Sequence, residues 1–172
     1  NCLGAGKVTG LDFSEEMVEK ARKNLEKSGL KNMEFIQGDI EDMPFSDSSF
    51  DVVLSNCVLN LVPDKQIAFS EIYRVLKPGG HFCISDVVTT GELPEALRET
   101  AEMYAGCVSG ATEKEEYLKI IEKQGFSQLE VHKEKAIVIP ENLLANYLDE
   151  SSLNTYLHSG IGIYSITLTA KK

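Results

Sequence analysis

Hydrophobic positions along this chain recur at two alternating periods, one short and β-like, the other helical. Residues 7–11 form a β-rich run that stops at Asp12. Ser14 then caps a helix whose first turn carries Glu15 and Glu16, suiting the positive end of the helix dipole. Met17, Val18, Ala21 and Leu25 follow at helical spacing, and Gly29 ends the helix. Residues 33–37 predict a second strand, stopping at Gly38-Asp39, and residues 50–54 a third, continuous and apolar as befits a strand buried on both faces. Asp64 opens another helix, with Ile67, Ala68, Ile72 and Val75 on one side, and Lys77-Pro78-Gly79-Gly80 breaks it. Residues 82–88 are the next strand. Two helices, over residues 93–104 and 113–123, flank Gly106-Cys107-Val108-Ser109-Gly110, and strands over 129–139 and 162–170 close the chain. Residues 140–160 between those strands read as a helical or loop excursion.

The order β-α-β-β-α-β-α-α-β-β predicts an α/β fold, a mostly parallel sheet covered by helices with an antiparallel finish. Ligands of such sheets bind beyond the carboxyl ends of the strands. Those ends carry Asp12, Asp39, Asn56-Cys57 and Ser85-Asp86, so carboxylates and a thiol converge on one edge. Gly4-Ala5-Gly6 does not make a dinucleotide loop. The acidic residue of that fingerprint lies about 20 residues beyond its glycines, whereas Asp12 follows Gly6 almost at once. A plain turn is the better reading, and a glycine loop serving Asp12 would lie upstream.

Two readings stay open at each candidate residue. Asp12 stands where a carboxylate can accept both hydroxyls of a ribose, and also where a helix-capping aspartate stands. Gly38-Asp39-Ile40 sets a carboxylate against an adenine amino group, or is a simple turn. Cys57, among Ser55, Asn56, Val58 and Leu59, is either a small core residue or a functional thiol at a strand end. Cys107 sits in a helix-breaking segment where backbone can fold close over a ligand, and it divides in the same way. Cys83, mid-strand between Phe82 and Ile84, reads as a core thiol. His81, His132 and His158 pair with no base and receive no role, and residues 113–116 are a solvated helix start.

Composition narrows the picture. At about 150 residues per domain, 172 residues make one domain, residues 1–172. With 42% hydrophobic and 26% charged residues the chain is an ordinary globular protein, not a disordered, collagen-like or coiled-coil one. Acidic residues outnumber basic ones 27 to 17, for a net charge of −10, which repels phosphate backbones and anionic lipids. Nucleic acid and membrane surfaces are therefore not expected partners. No run of ~18 apolar residues and no secretory pattern is present, so the expected compartment is the reducing cytoplasm. The four cysteines, Cys2, Cys57, Cys83 and Cys107, have neither C-x-x-C nor zinc-site spacing.

Taken together, these segments resemble the arsenite methyltransferases, within the class I S-adenosylmethionine-dependent methyltransferases, over essentially the whole chain. Residues 6–14 look like the second strand of that Rossmann-like fold with its ribose-binding acid, and Gly38-Asp39-Ile40-Glu41 like its adenine-binding turn. Leu76-Lys77-Pro78-Gly79-Gly80 supports the superfamily only. Two segments are more specific: Ser55-Asn56-Cys57-Val58-Leu59-Asn60-Leu61 with Pro63-Asp64-Lys65, and Gly106-Cys107-Val108-Ser109-Gly110-Ala111. Both resemble the cysteine segments that bind arsenic in that family, and Gly162-Ile163-Tyr164-Ser165-Ile166-Thr167 looks like the family's last strand.

The resemblance implies S-adenosylmethionine as cofactor, held by Asp12, Phe13, Met17, Gly38, Asp39, Ile40 and Asn56. It implies Cys57 and Cys107 as arsenic ligands, with Cys2 matching a further family cysteine. The implied substrate is arsenite or its thiol conjugate, and the implied redox partner a thiol reductant of thioredoxin or glutathione type. Soft thiolates suit trivalent arsenic, and no general base is needed. A quinone-type carbon or oxygen methyltransferase, a non-catalytic metalloid-binding module and a degenerate interaction domain are the alternatives. The first would need no cysteine at position 57 or 107. The family's first strand and glycine loop have no counterpart here. Six strands are predicted against the family's seven, and a longer N-terminus is the expectation.

Overall fold

The computed structural model describes residues 6–91, 110–140, 144–146 and 148–172. The chain divides into two compact units, Asn1–Ser46 and Asp47–Lys172.

In the first unit, β1 (Val8–Asp12) and β2 (Met33–Gln37) pair in parallel from Val8↔Met33 to Asp12↔Gln37. Helix α1 (Glu15–Ser28) joins them. Its start follows the predicted chemistry: the Ser14 hydroxyl accepts from the Met17 N–H, and Gly29, at φ 68°, ends it. Val18 is the buried anchor of the apolar stripe. Arg22 ties the helix to the strands, donating through Nε (3.1 Å) and Nη2 (2.8 Å) to the carbonyl of Phe35.

The second unit is built on β3 (Phe50–Asn56), β4 (Leu76–Thr90), β5 (Thr112–Glu113), β6 (Ser127–Ala136) and β7 (Gly162–Lys171). Its sheet runs β3-β4-β7-β6, and β5 pairs with the end of β4. β3 and β5 lie parallel to β4, whereas β7 is antiparallel to both its neighbours. The expected α/β fold, mostly parallel with an antiparallel finish, is thus borne out. Among the described residues the unit also has helices α2 (Lys65–Val75), α3 (Lys114–Lys123) and α4 (Glu150–His158), with a 3₁₀ turn at Leu59–Leu61. No described helix is long and apolar enough to cross a membrane.

The core lies where α2 and α3 meet β4. Phe82 and Ile84 are fully buried on β4, and Phe69 packs between Phe82 (5.9 Å) and Tyr117 (5.6 Å, edge-on). Phe126 extends the cluster to Phe82 (4.8 Å) and Tyr73 (5.0 Å). Such pairs add about 0.5–1.5 kcal/mol each beyond their buried area. A second cluster, Val87, Ala111, Leu144, Leu148 and Ile163, closes the opposite end.

Several expectations are corrected. β3 is not buried on both faces: Leu54 is 76% exposed, because among the described residues β3 pairs with β4 alone. Ile67 is exposed and Phe69 takes its place beside Ala68, Ile72 and Val75, the stripe that helical geometry turns inward. Cys83 is half-buried and not a core thiol, since strand alternation buries Phe82 and Ile84 and turns Cys83 to the other face. Lys77-Pro78-Gly79-Gly80 ends the helix as expected but then runs within β4 as an irregularity: pairing jumps from Phe50↔Leu76 to Val52↔His81, and Gly79 takes φ 80°. The strand expected over 129–139 starts and stops earlier, and residues 140–160 contain α4. β5 is too short to show a period, which is why it was not predicted. The helix expected over 93–104 lies outside the described residues.

Candidate active site

In the first unit, β1 delivers Asp12 to its carboxyl end and β2 delivers Gly38-Asp39 to the neighbouring one. The backbone N–H of Gly38 donates to the carbonyl of Asp12 (3.1 Å), so the two candidate segments are joined directly. Asp12 Oδ1 accepts from the Ser14 N–H (2.9 Å), and Asp39 Oδ1 from the Glu41 N–H (2.9 Å). Each carboxylate therefore orders its own turn with one oxygen while remaining exposed to solvent. The turn role read from sequence is present, and a ligand role is compatible with it. Gly38 has no room for a side chain, since a Cβ would lie 2.8 Å from Leu11 Cδ1 and 2.9 Å from Pro44 Cδ. Phe13, 77% exposed, and Met17, 48% exposed, place apolar surface beside Asp12, while Ile40 is half-buried. This donor set suits a nucleoside: carboxylates for ribose hydroxyls and an amino group, apolar side chains for the faces of the rings.

In the second unit, Asn56 ends β3 and Cys57 follows it in a left-handed backbone conformation, φ 56°. That conformation costs a residue with a Cβ roughly 1–2 kcal/mol. The Cys57 N–H donates to the carbonyl of Ser85 on β4 (2.9 Å), which holds the turn, and its thiol lies 3.8 Å from Asn56 Oδ1. Cys57 is half-buried, with Val58 and Leu61 making an exposed apolar rim. Asn60 is buried and its Nδ2 donates to the carbonyl of Val87 (3.0 Å).

Gly110, near the end of the second cysteine segment, lies against this same turn. A Cβ on Gly110 would stand 2.0 Å from the Asn60 carbonyl oxygen, a separation that only glycine allows. Cys107 itself, like Cys2, lies outside the described residues. Among the described residues no three His, Cys, Asp or Glu side chains form a metal-holding group.

Beside the Cys57 turn sits a buried polar pair, of which the sequence points to Asp86 but not to Tyr117. Asp86 is 1% exposed on β4; its Oδ1 accepts from the Val87 N–H (3.0 Å) and its Oδ2 from the Tyr117 hydroxyl (3.0 Å). Burial pushes the Asp86 carboxyl up to about 6, against the Val87 and Tyr117 hydrogen bonds and the charge of Lys65, which pull it down. Burial likewise raises the Tyr117 phenol well above its usual range, with Asp86 and Cys57 adding to the shift. Lys65, at the start of α2, is held below its usual value by burial, with Asp86 and Glu116 opposing. Asp86 was visible at a strand end, but Tyr117 shares the spacing of Ile120 and Ile121 and so looks like ordinary core. Of the histidines, His132 Nε2 lies 2.7 Å from Thr169 Oγ1, and His158 Nδ1 lies 2.8 Å from the Asn154 carbonyl.

Comparison with known proteins agrees with this layout. The methyltransferase-domain family profile matches residues 2–125. An arsenite methyltransferase of Halobacterium salinarum is 42% identical over 126 residues, covering 73% of this chain and 32% of the relative. A demethylmenaquinone methyltransferase of Lactococcus lactis is 50% identical over 76 residues, covering 44% of this chain and 30% of the relative. The crystal structure of an arsenic(III) S-adenosylmethionine methyltransferase from Chlamydomonas reinhardtii superposes with a TM-score of 0.79 at 34% identity, covering 96% of this chain and 55% of that one. The chain spans 32–44% of the length of the curated arsenite methyltransferases of Halobacterium, Aquipseudomonas and human that it matches. With its parallel strands carrying acids and a thiol at their carboxyl ends, and with the family profile running through both units, the chain belongs to the methyltransferase-domain family.

Proposed function

We propose that this protein is an S-adenosylmethionine-dependent methyltransferase whose acceptor is trivalent arsenic held by cysteine thiolates. The observation that carries this reading is the placement of Cys57: a thiol at the carboxyl end of a parallel strand, in a costly backbone conformation locked by Ser85. Strain of that kind points to a functional position. Similarity to arsenite methyltransferases supports it from outside the chain. The two units work as one methyltransferase domain, a reading supported by a family profile that runs through both.

Asp12 and Asp39 accept hydrogen bonds from the ribose hydroxyls and the adenine amino group, while Phe13, Met17, Gly38, Ile40 and Asn56 complete the nucleoside site. When bound, S-adenosylmethionine supplies an electrophilic methyl group on a positively charged sulfur. Cys57 and Cys107 hold arsenic through thiolates with its lone pair uncovered, and Cys2 serves as a further thiol. Gly110 supports the pairing of the two cysteines, because it touches Asn60 and stands only three residues from Cys107, a span of at most ~10 Å. Their work is proximity and orientation, which in favourable cases lowers a barrier by ~7–11 kcal/mol. Each thiol gives up its proton when arsenic binds. Donating the lone pair to carbon raises arsenic formally from the trivalent to the pentavalent state, so a thiol reductant of thioredoxin or glutathione type returns it. That requirement places the reaction in a reducing compartment such as the cytoplasm.

In the full-length protein, Cys57→Ser or Cys107→Ser abolishes arsenite methylation and leaves S-adenosylmethionine binding measurable, as read by transfer of a labelled methyl group and by calorimetry. Full activity in either variant overturns the ligand assignment. The partial match to a demethylmenaquinone methyltransferase favours one second reading, a quinone-type acceptor. Under that reading, alkylation of the thiols leaves methyl transfer intact.

A further inference from the structure

Five consecutive residues of β4 grip everything around the Cys57 turn. Ser85 accepts the Cys57 N–H, and Val87 accepts Asn60 Nδ2. Val88 and Thr89 pair with Thr112 and Glu113 of β5, which leads into α3. Asp86 lies within this run and spends both carboxylate oxygens on its neighbours, one on the Val87 N–H and one on the Tyr117 hydroxyl of α3. From the far side, Gly110 closes on the Asn60 carbonyl. Residues 110–117 and the 57–60 turn are therefore fixed to one strand and to each other.

We propose that Asp86 and Tyr117 are positioning residues for the thiol at Cys57: their buried hydrogen bond sets the distance between the Cys57 turn and residues 110–117. This rests on the arsenic reading given above and deepens it, since neither residue touches substrate in this account. A carboxylate is a costly group to bury where only packing is needed, and the hydroxyl it receives comes from the helix that follows the second cysteine segment. Lys65, half-buried at the start of α2, is the cation that faces Asp86 and Glu116.

The test is Tyr117→Phe in the full-length protein, which keeps the ring that packs on Phe69 and removes only the hydroxyl. Phenylarsine oxide and S-adenosylmethionine are each titrated against wild type and variant, with thermal melts alongside. Loss of a buried charge-assisted hydrogen bond predicts about tenfold weaker binding of the arsenical, with cofactor affinity unchanged. Equal arsenical affinity in variant and wild type overturns the proposal, and so does a loss of both ligands in step with a lower melting temperature. Asp86→Asn, which leaves the amide with one hydrogen facing a donor, gives the same split if Tyr117→Phe does not fold. If wild type binds cofactor but no arsenical, the arsenic reading fails separately. The positioning role is then read from amide exchange: faster exchange at Cys57 with β6 and β7 unchanged supports it, and unchanged exchange at Cys57 overturns it.

Discussion

Asp86 is a carboxylate kept from water and surrounded by donors that only partly compensate. Its folded-state value of about 6 lies above the ordinary 3.8, so between those limits the native protein binds more protons than the unfolded chain. Stability therefore falls as pH rises through that window and levels off above it, opposite to the behaviour of an aspartate in an ion pair. At about 1.4 kcal/mol per unit, the slope amounts to on the order of 3 kcal/mol. Asp86→Asn removes this contribution, so in urea denaturation the stability at pH 4.5 minus that at pH 7, a range that covers most of the window, should be smaller for the variant than for wild type. An identical difference in both proteins would mean that Asp86 is ionised throughout. Cys57 shows the same logic in backbone form. Ser48 and Gln128 share its positive φ, but the former precedes β3 and the latter falls in an irregularity of β6, whereas Cys57 sits at a carboxyl strand end.

At the scale of elements, contacts through backbone atoms decide what a substitution does. The turn at Leu59–Leu61 and the entry to β5 approach so closely that Gly110 carries no side chain. Gly110→Ala forces a backbone shift and should destabilise the protein by about 1–3 kcal/mol, the cost of overpacking, with arsenical binding weakened more than cofactor binding. A variant with wild-type denaturation and wild-type arsenical affinity would show that the two elements are not packed as described. The elements themselves were largely legible: Ser14, Gly29 and Asp64 mark helix ends by capping chemistry, and the bounds of β2 follow from its apolar run. What failed depends on neighbours. Phe50 to Leu54 reads as buried from composition alone, yet Leu54 faces solvent because burial needs a pairing partner or a covering helix. The grip of Asp86 on Tyr117 spans 31 residues, and no local period could announce it. Asp12 and Asp39, by contrast, were visible because strand ends in an α/β fold are predictable positions.

For the molecule as a whole, a charge of −10 leaves little electrostatic attraction for anionic partners, and the proposed recognition of a neutral metalloid rests instead on bonds to sulfur. The proposed nucleoside residues other than Asn56 lie in the first unit and Cys57 in the second, and the central claim is that this protein holds arsenic through thiolates for methyl transfer. The most direct measurement is arsenic X-ray absorption of the full-length protein loaded with one equivalent of arsenite, compared with its Cys57→Ser variant. We predict sulfur neighbours around arsenic in the wild type and one fewer in the variant. An arsenic shell made of oxygen alone, or a sulfur count that the substitution leaves unchanged, would contradict the assignment.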